Sequence, residues 1–293
     1  MGEIAIEVDG LRKSYDGVEA VRGLSFGVER GEVFGLLGPN GAGKTTTVEI
    51  LEGYRERSAG EVRVLGHDPQ VRHRELQQRV GIVLQSCGFY PRLTVLEAVE
   101  HMAKAYPHPR DPRETIDLVG LGEKADARSN KLSGGQRRRL DLALALVGDP
   151  ELVFLDEPTT GFDPAARRAA WGVIDTLKDL GKTVLLTTHY LDEAQALADR
   201  VAIVKDGAMV AEGPPSDLGP SSAGYRVSYL AGGRRVEHQT DDPTDLLHRL
   251  TGDAIARGEP LEGLEVARPT LEDVYLELTE SARRDDEREP RRR

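Results

Sequence analysis

The sequence has a single cysteine, Cys87, among its 293 residues, which excludes an intrachain disulfide and a cysteine-based zinc site. Long hydrophobic runs are also missing: the longest is Leu142–Val147, whereas a membrane-spanning helix needs about 20 apolar residues. The first residues show neither the basic nor the apolar region of a signal peptide. We therefore expect a protein of a reducing compartment that does not itself cross a membrane.

An excess of basic side chains is missing as well. The 39 Lys and Arg residues face 50 Asp and Glu residues, and the resulting net charge of −11 argues against nucleic acid as the main partner. Hydrophobic residues make up 39% of the chain and charged residues 30%, which is typical of a globular protein and not of a disordered one. The length is sufficient for one large domain or two unequal ones.

Short apolar runs alternate with helical patterns through most of the chain. Runs with no polar face predict the strands of a parallel sheet covered by helices, at 32–37, 80–84, 152–155, 183–187 and 201–204. Alternation at 4–8 and 24–28 instead predicts antiparallel strands at one edge. Between Phe89 and Lys131 strand patterns vanish, and 95–106 and 113–121 predict helices.

The character of the sequence changes after Gly213-Pro214-Pro215. Segments 225–230 and 234–240 predict a hairpin, and 244–250 and 271–278 predict short helices. The sequence thus predicts an α/β domain at 3–216 with a helical insertion at about 86–147, an α+β accessory domain at 217–280, and a disordered charged tail at 281–293.

One segment matches the phosphate-loop pattern G-x-x-x-x-G-K-[ST], between a predicted strand and a predicted helix. Its residues are Gly38, Pro39, Asn40, Gly41, Ala42, Gly43, Lys44 and Thr45, followed by Thr46. Glycines allow backbone N–H groups to turn inward around a phosphate, Lys44 supplies a full positive charge, and the Thr45 hydroxyl can ligate Mg²⁺. The strand and helix on either side favour this interpretation over a glycine-rich turn that merely opens a helix.

Two adjacent carboxylates, Asp156 and Glu157, follow the apolar run 152–155. They would lie at the carboxyl end of a strand, where open α/β sheets bind ligands. Beside a phosphate loop, Asp156 would hold Mg²⁺ and Glu157 would polarise the attacking water.

A second candidate anion site heads the run 137–147. Ser133 predicts an N-cap, so that Ser133, Gly134, Gly135 and Gln136 would present free N–H groups at a helix start. Taken alone, a Ser-Gly-Gly sequence is most often a loop.

The phosphate loop, the LSGGQ sequence at 132–136 and the Asp-Glu strand, in this order, resemble an ATP-binding-cassette (ABC) ATPase over residues 3–216. The resemblance implies an ATP-hydrolysing enzyme with Mg²⁺. It also implies roles for four further residues: Tyr15 stacking on adenine, Gln85 touching Mg²⁺ and the attacking water, Asp163 contacting an opposing subunit, and His189 bonding the γ-phosphate. Phe162 departs from the leucine that is more usual beside Asp163.

Residues 188–194 and 269–279 resemble multidrug and antibiotic exporter ATPases of the daunorubicin-resistance type. That resemblance implies a separate membrane permease docked near 85–94 and a location at the inner face of the cell membrane. It also implies an ATP-bound homodimer, in which Ser133–Gly135 of one chain faces the nucleotide of the other. The exported compound, a drug, antibiotic or other hydrophobic molecule, is not encoded in this chain.

Two alternatives stay open on the sequence alone. A soluble ABC ATPase acting on ribosomes or DNA is disfavoured by the single phosphate loop, by the short segment between Gln85 and Leu132, and by the acidic charge. A nucleotide-binding regulator without turnover is disfavoured because Glu157 and His189 are both present.

Overall fold

The structure of the chain is a computed structural model that describes residues 3–71, 74–83, 92–218, 225–231 and 234–267. It contains two compact units, one ending at Glu212 and one beginning at Gly213. Gln85, the predicted helix at 271–278 and the predicted tail lie outside the described residues. No helix within the described ranges combines the length and apolarity that a bilayer crossing requires.

A six-stranded sheet forms the centre of the first unit, in the order β5-β6-β7-β3-β8-β9. Its strands are β3 (Val33–Leu37), β5 (Val80–Val83), β6 (Leu152–Asp156), β7 (Thr183–Thr188), β8 (Arg200–Lys205) and β9 (Ala208–Gly213). The pairs β5–β6, β6–β7, β7–β3 and β3–β8 are parallel. Every residue of β3, β6 and β7 is buried, which explains why these segments lack the alternation of a half-exposed strand.

The antiparallel strands form a sheet of their own and do not extend the central one. Its order is β2-β1-β4, with β1 at Ile4–Tyr15, β2 at Val18–Glu29 and β4 at Ala59–Val64. The buried side chains of these strands share one hydrophobic cluster with Phe34 of β3 and Val48. This apolar face therefore covers the central sheet, whereas a strand added at the edge would leave the face exposed.

Seven helices of the described residues surround the central sheet: α1 (Lys44–Leu51), α2 (Arg74–Arg79), α3 (Val95–Ala103), α4 (Pro112–Leu118), α5 (Gly134–Leu146), α6 (Pro164–Asp179) and α7 (Leu191–Leu197). Helices α3, α4 and α5 contribute Val99, Ile116 and Leu140, respectively, to one hydrophobic core. Helices α3 and α4 are shorter than the sequence pattern predicted, because a pattern of apolar residues does not mark where a helix ends.

The second unit contains a three-stranded antiparallel sheet and one helix. Strands β10 (Tyr225–Ala231), β11 (Arg234–Thr240) and β12 (Glu262–Ala267) lie in the order β11-β10-β12, with helix α8 at Pro243–Arg257. The two hairpin strands pair as the alternation predicted. Helix α8 is longer than predicted, since Asp242 caps its start and Gly258, with φ of 67°, ends it. Strand β12 has no sequence signature, because most of its residues are exposed.

Candidate active site

The predicted phosphate loop connects β3 to α1. Gly43 has a φ of 96°, and a Cβ there would meet the Ala20 carbonyl oxygen at 2.5 Å. A Cβ at Gly38 would meet the Val204 carbonyl oxygen at 2.2 Å. Both positions therefore require glycine, and because Gly43 has no capping side chain, the first turn of α1 can offer its N–H groups to an anion.

Lys44 is buried under this loop, with a side chain only 4% exposed. Its Nζ donates to the carbonyl oxygens of Gly38 at 2.8 Å and Pro39 at 3.1 Å. Burial lowers the pKa of Lys44, while the carboxylates of Glu157 and Asp156 act in the opposite direction. A buried ammonium so close to the loop is positioned to neutralise an anion that the loop encloses.

Asp156 ends β6 and is buried. The Thr187 hydroxyl of β7 donates to its Oδ1 at 2.5 Å. Burial raises the pKa of Asp156, although the bond from Thr187 and the charge of Lys44 lower it in part. The sheet order explains this contact, because β6 and β7 are parallel neighbours and their carboxyl ends meet at one edge.

Glu157 follows with a φ of 46°, in the left-handed region that residues with a Cβ avoid. Its carboxylate lies between other predicted site residues. Oε1 is 3.8 Å from Lys44 Nζ and 3.4 Å from His189 Nδ1, and Oε2 accepts a hydrogen bond from the Thr160 hydroxyl at 3.0 Å. The fold thus brings together three residues from distant parts of the sequence: Lys44, Glu157 and His189.

The donors beside the phosphate loop fit a magnesium ion that is bound together with phosphate oxygens. Asp156 offers a carboxylate, and Thr45 offers a hydroxyl on the exposed face of the first turn of α1. Both are hard oxygen donors, which Mg²⁺ prefers. Burial disfavours the ionised form of the Asp156 carboxylate and so raises its pKa, and a nearby cation would stabilise that form.

Ser133 is the N-cap of α5, as the sequence predicted. Its hydroxyl accepts from Gln136 N at 3.3 Å, and the Gln136 side chain accepts from Ser133 N at 3.0 Å. This reciprocal pair holds the Gln136 side chain against the helix start and leaves Gly134 exposed. The helix start opens onto a groove of about 530 Å³ that Glu157 and Asp163 also line.

Two other predicted residues have specific surroundings. Tyr15 ends β1, half-buried, and the charged groups of Lys13 and Arg55 lie 5.1 Å and 5.2 Å from its ring centroid. Asp163 is exposed and immediately precedes α6, and its carboxylate accepts a hydrogen bond from Ala166 N at 2.8 Å.

Several residues that support this site were not predicted from the sequence. Thr187 was only part of a strand, yet its hydroxyl binds Asp156. Glu193 is fully buried in α7, and its Oε1 accepts from the Thr159 hydroxyl at 2.8 Å and from Trp171 Nε1 at 3.2 Å. A glutamate on the apolar face of a helix, beside Ala194 and Leu197, was the available signal for such a buried role.

The chain matches the family model described as ABC transporter over residues 21–160. It is similar to the Nod factor export ATP-binding protein I of Paraburkholderia xenovorans (strain LB400), with 41% identity across 95% of this chain and 98% of the relative. It is also similar to the daunorubicin/doxorubicin resistance ATP-binding protein DrrA of Streptomyces peucetius, with 38% identity across 95% of this chain and 89% of the relative.

Solved structures with the same fold include an ATP-binding subunit of an ABC transporter. It has a TM-score of 0.70 and 24% identity, and covers 94% of this chain and 99% of its own. Another is the ATP-binding cassette MJ0796 in a dimeric post-hydrolysis state bound to ADP and Pi, with a TM-score of 0.64 and 26% identity over 71% of this chain and 98% of that one. The predicted α/β fold class is confirmed.

Proposed function

Because this chain belongs to the ABC transporter family and is an ATPase of the kind that family couples to transport, we propose that it powers an exporter through a separate membrane permease. The observation that carries the proposal is the similarity, across 95% of the chain, to two ATP-binding proteins named for export and for drug resistance. The resemblance to the daunorubicin-resistance type, first indicated by short motifs, is confirmed by this similarity over most of the chain. Action on ribosomes or DNA is not favoured.

ATP would bind with its phosphates in the loop 38–46 and its adenine against Tyr15. The clash of any Cβ at Gly38 or Gly43 and the burial of Lys44 support this placement. Mg²⁺, held by Thr45, Asp156 and Gln85, would neutralise phosphate charge when bound.

Glu157 would orient and polarise the attacking water. Its carboxylate lies beside Lys44 and His189, close to where the γ-phosphate would end. His189 would hydrogen-bond that phosphate. The carboxylate accepts a bond from Thr160, which limits its rotation and favours one orientation toward the water.

A homodimer would complete each site. The related cassette MJ0796 is dimeric with ADP and Pi, which supports dimerisation here. In such a dimer the α5 start of one chain, Ser133–Gly135 with Gln136, would meet the γ-phosphate held by the other, and Asp163 would contact the opposing subunit. Loss of that phosphate would loosen the dimer and pass motion to the permease at the inner face of the membrane.

The substrate class we propose is a drug, antibiotic or other hydrophobic compound. DrrA is named for resistance to daunorubicin and doxorubicin, whereas the other relative is named for the export of Nod factor. This chain resembles both to a similar degree. The choice among such compounds would therefore lie in the permease.

Purification of the tagged full chain from membranes of its own organism, in mild detergent, tests the proposal. We expect a polytopic membrane protein to copurify in stoichiometric amount, with the Lys44→Ala variant as well as the natural chain. Cells that carry only Lys44→Ala should accumulate more doxorubicin than cells that carry the natural chain. Copurification of ribosomal subunits, or ATPase activity that depends on added DNA, would replace the exporter by the soluble alternative.

A further inference from the structure

Arg138 lies in the second turn of α5, half-buried, and its guanidinium points at the end of β6. Nη2 donates to the Asp156 carbonyl oxygen at 3.0 Å, and Nε donates to the Pro158 carbonyl oxygen at 3.2 Å. These two carbonyl groups flank Glu157 on either side. One planar side chain therefore binds the carbonyl groups of both residues adjacent to the candidate catalytic residue.

Residues 156–158 are called the Glu157 turn. This turn needs support from other parts of the fold, because the φ of 46° at Glu157 is unfavourable for any residue with a Cβ. The Glu157 N–H is held by Thr187, at 3.2 Å from the carbonyl oxygen and 3.0 Å from the hydroxyl. Arg138 holds the same turn through its flanking carbonyls. Such unfavourable conformations persist only where the surroundings determine them strongly, and they are concentrated at active sites.

The two neighbouring arginines of α5 have other partners. Arg137 donates to the Leu132 carbonyl oxygen at 3.1 Å, and Arg139 donates to the Gly120 carbonyl oxygen at 3.3 Å. Neither acceptor belongs to the Glu157 turn. The chain thus offers a matched control, since the same residue type at the next position of the same helix makes a comparable bond elsewhere.

We propose that Arg138 is a positioning residue for ATP hydrolysis, which holds the Glu157 turn and ties it to the helix that begins at Ser133. The inference rests on the proposed role of Glu157. Because α5 is one continuous helix, a displacement of its start would move Arg138 and, through it, the Glu157 carboxylate. In the proposed dimer, contact of Ser133–Gly135 with one nucleotide would therefore affect hydrolysis of the other.

The test compares Arg138→Ala, Arg138→Lys and Arg139→Ala in the full chain, by phosphate release and by equilibrium binding of ATP. Arg138→Ala should lower kcat by about 10- to 100-fold, since a misplaced group loses most of its effect, while the Kd for ATP changes less than about twofold. Lysine should restore part of kcat, because it can donate to one carbonyl. Arg139→Ala should retain the natural kcat.

A double-mutant cycle with Glu157→Gln separates positioning from general damage. If Arg138 acts through Glu157, Arg138→Ala should reduce the residual turnover of Glu157→Gln by less than about twofold. The inference is overturned if Arg138→Ala lowers kcat by the same factor in the natural chain and in Glu157→Gln. It is also overturned if Arg138→Ala changes only KM or leaves the natural kcat unchanged. Should Arg138→Ala not fold, as judged by its melting curve, Arg138→Lys against Arg139→Lys decides by the same kcat criterion.

The result for Glu157→Gln alone distinguishes failure of the proposed Glu157 role from failure of the proposed Arg138 role. Natural turnover in Glu157→Gln overturns the proposed role of Glu157 and, with it, the inference. Lost turnover in Glu157→Gln together with natural turnover in Arg138→Ala overturns the inference only.

Discussion

At the scale of single residues, the surroundings of Glu157 and Lys44 favour different proposed roles. Lys44 is buried and bound to the loop's own carbonyl groups, so in its proposed role its charge would stabilise the bound ground state. Glu157 lines the groove, and in its proposed role its charge would act on the attacking water. Binding and turnover should therefore respond separately to substitution.

Glu157→Gln should reduce kcat for ATP hydrolysis by about 10²- to 10⁴-fold and leave ATP binding near normal, because the amide cannot accept the water's proton. Lys44→Ala should instead weaken ATP binding itself. Phosphate release under saturating ATP and titration with a fluorescent nucleotide measure the two effects. Near-natural turnover in Glu157→Gln would assign catalysis to another residue.

Glu52 is a second carboxyl with unusual surroundings, at the end of α1. Both of its oxygens are buried, and no residue in the described ranges hydrogen-bonds to them. Burial, with smaller contributions from Asp156 and Glu49, raises the pKa of Glu52 from about 4.5 to about 8. The folded chain therefore holds a proton that the unfolded chain has lost between these values, and stability falls as the pH rises through this window.

Glu52→Gln should remove this pH dependence, because the amide resembles the protonated carboxyl and does not titrate. We expect a higher Tm than that of the natural chain at pH 7 to 9, where the penalty on Glu52 grows toward its full size. The two melting temperatures should converge near pH 4, where the carboxyl is protonated in both states. An equal Tm difference at every pH would show that packing, and not titration, causes it.

At the scale of elements, helix α5 combines two tasks through its capping residue. Ser133 holds the helix start with Gln136, and the same start is the surface proposed to face a second chain. A small side chain at position 133 removes only the cap, whereas a large one also blocks the surface proposed to face the second chain. The two tasks can therefore be separated by the size of the new side chain.

Ser133→Arg in the Glu157→Gln background should abolish the ATP-dependent dimer and spare ATP binding to the monomer. Ser133→Ala is the control, because it loses the cap, at about 1 kcal/mol of stability, without obstructing the surface. Size-exclusion chromatography with light scattering gives the mass in each case. The same mass for Glu157→Gln with ATP, with ADP and without nucleotide would contradict the dimer model for the isolated subunit.

At the scale of the whole molecule, the candidate site residues that the structure describes all lie in the first unit, before Gly213. We propose that residues 217–280 form a regulatory or dimer-contact module. Deletion of 217–293 should therefore leave nucleotide binding intact and alter assembly or coupling to the permease. A soluble, folded truncation that no longer binds ATP would contradict this division of tasks.

Features that depend only on a short segment of the chain were predictable from the sequence. The apolar runs of β3, β6 and β7, the Ser133 cap and the phosphate-loop glycines belong to this class, because periodicity, hydrogen-bonding side chains and the absence of a Cβ act within a few residues. These local patterns determined the fold class and the family. The C-terminal end of α3 and the exposed strand β12 have no comparably strong local pattern.

Only the tertiary structure decided which distant residues meet. The contact of Glu157 with Lys44 and His189, the bond from Thr187 to Asp156, and the two bonds from Arg138 to the Glu157 turn each join different elements. Such contacts depend on strand order and helix packing, and those are set by burial summed over the whole core. The sequence by itself determined the chemical groups of the site, and the packing of the sheet and helices determined their arrangement, because no local pattern contains the distance between residues far apart in the chain.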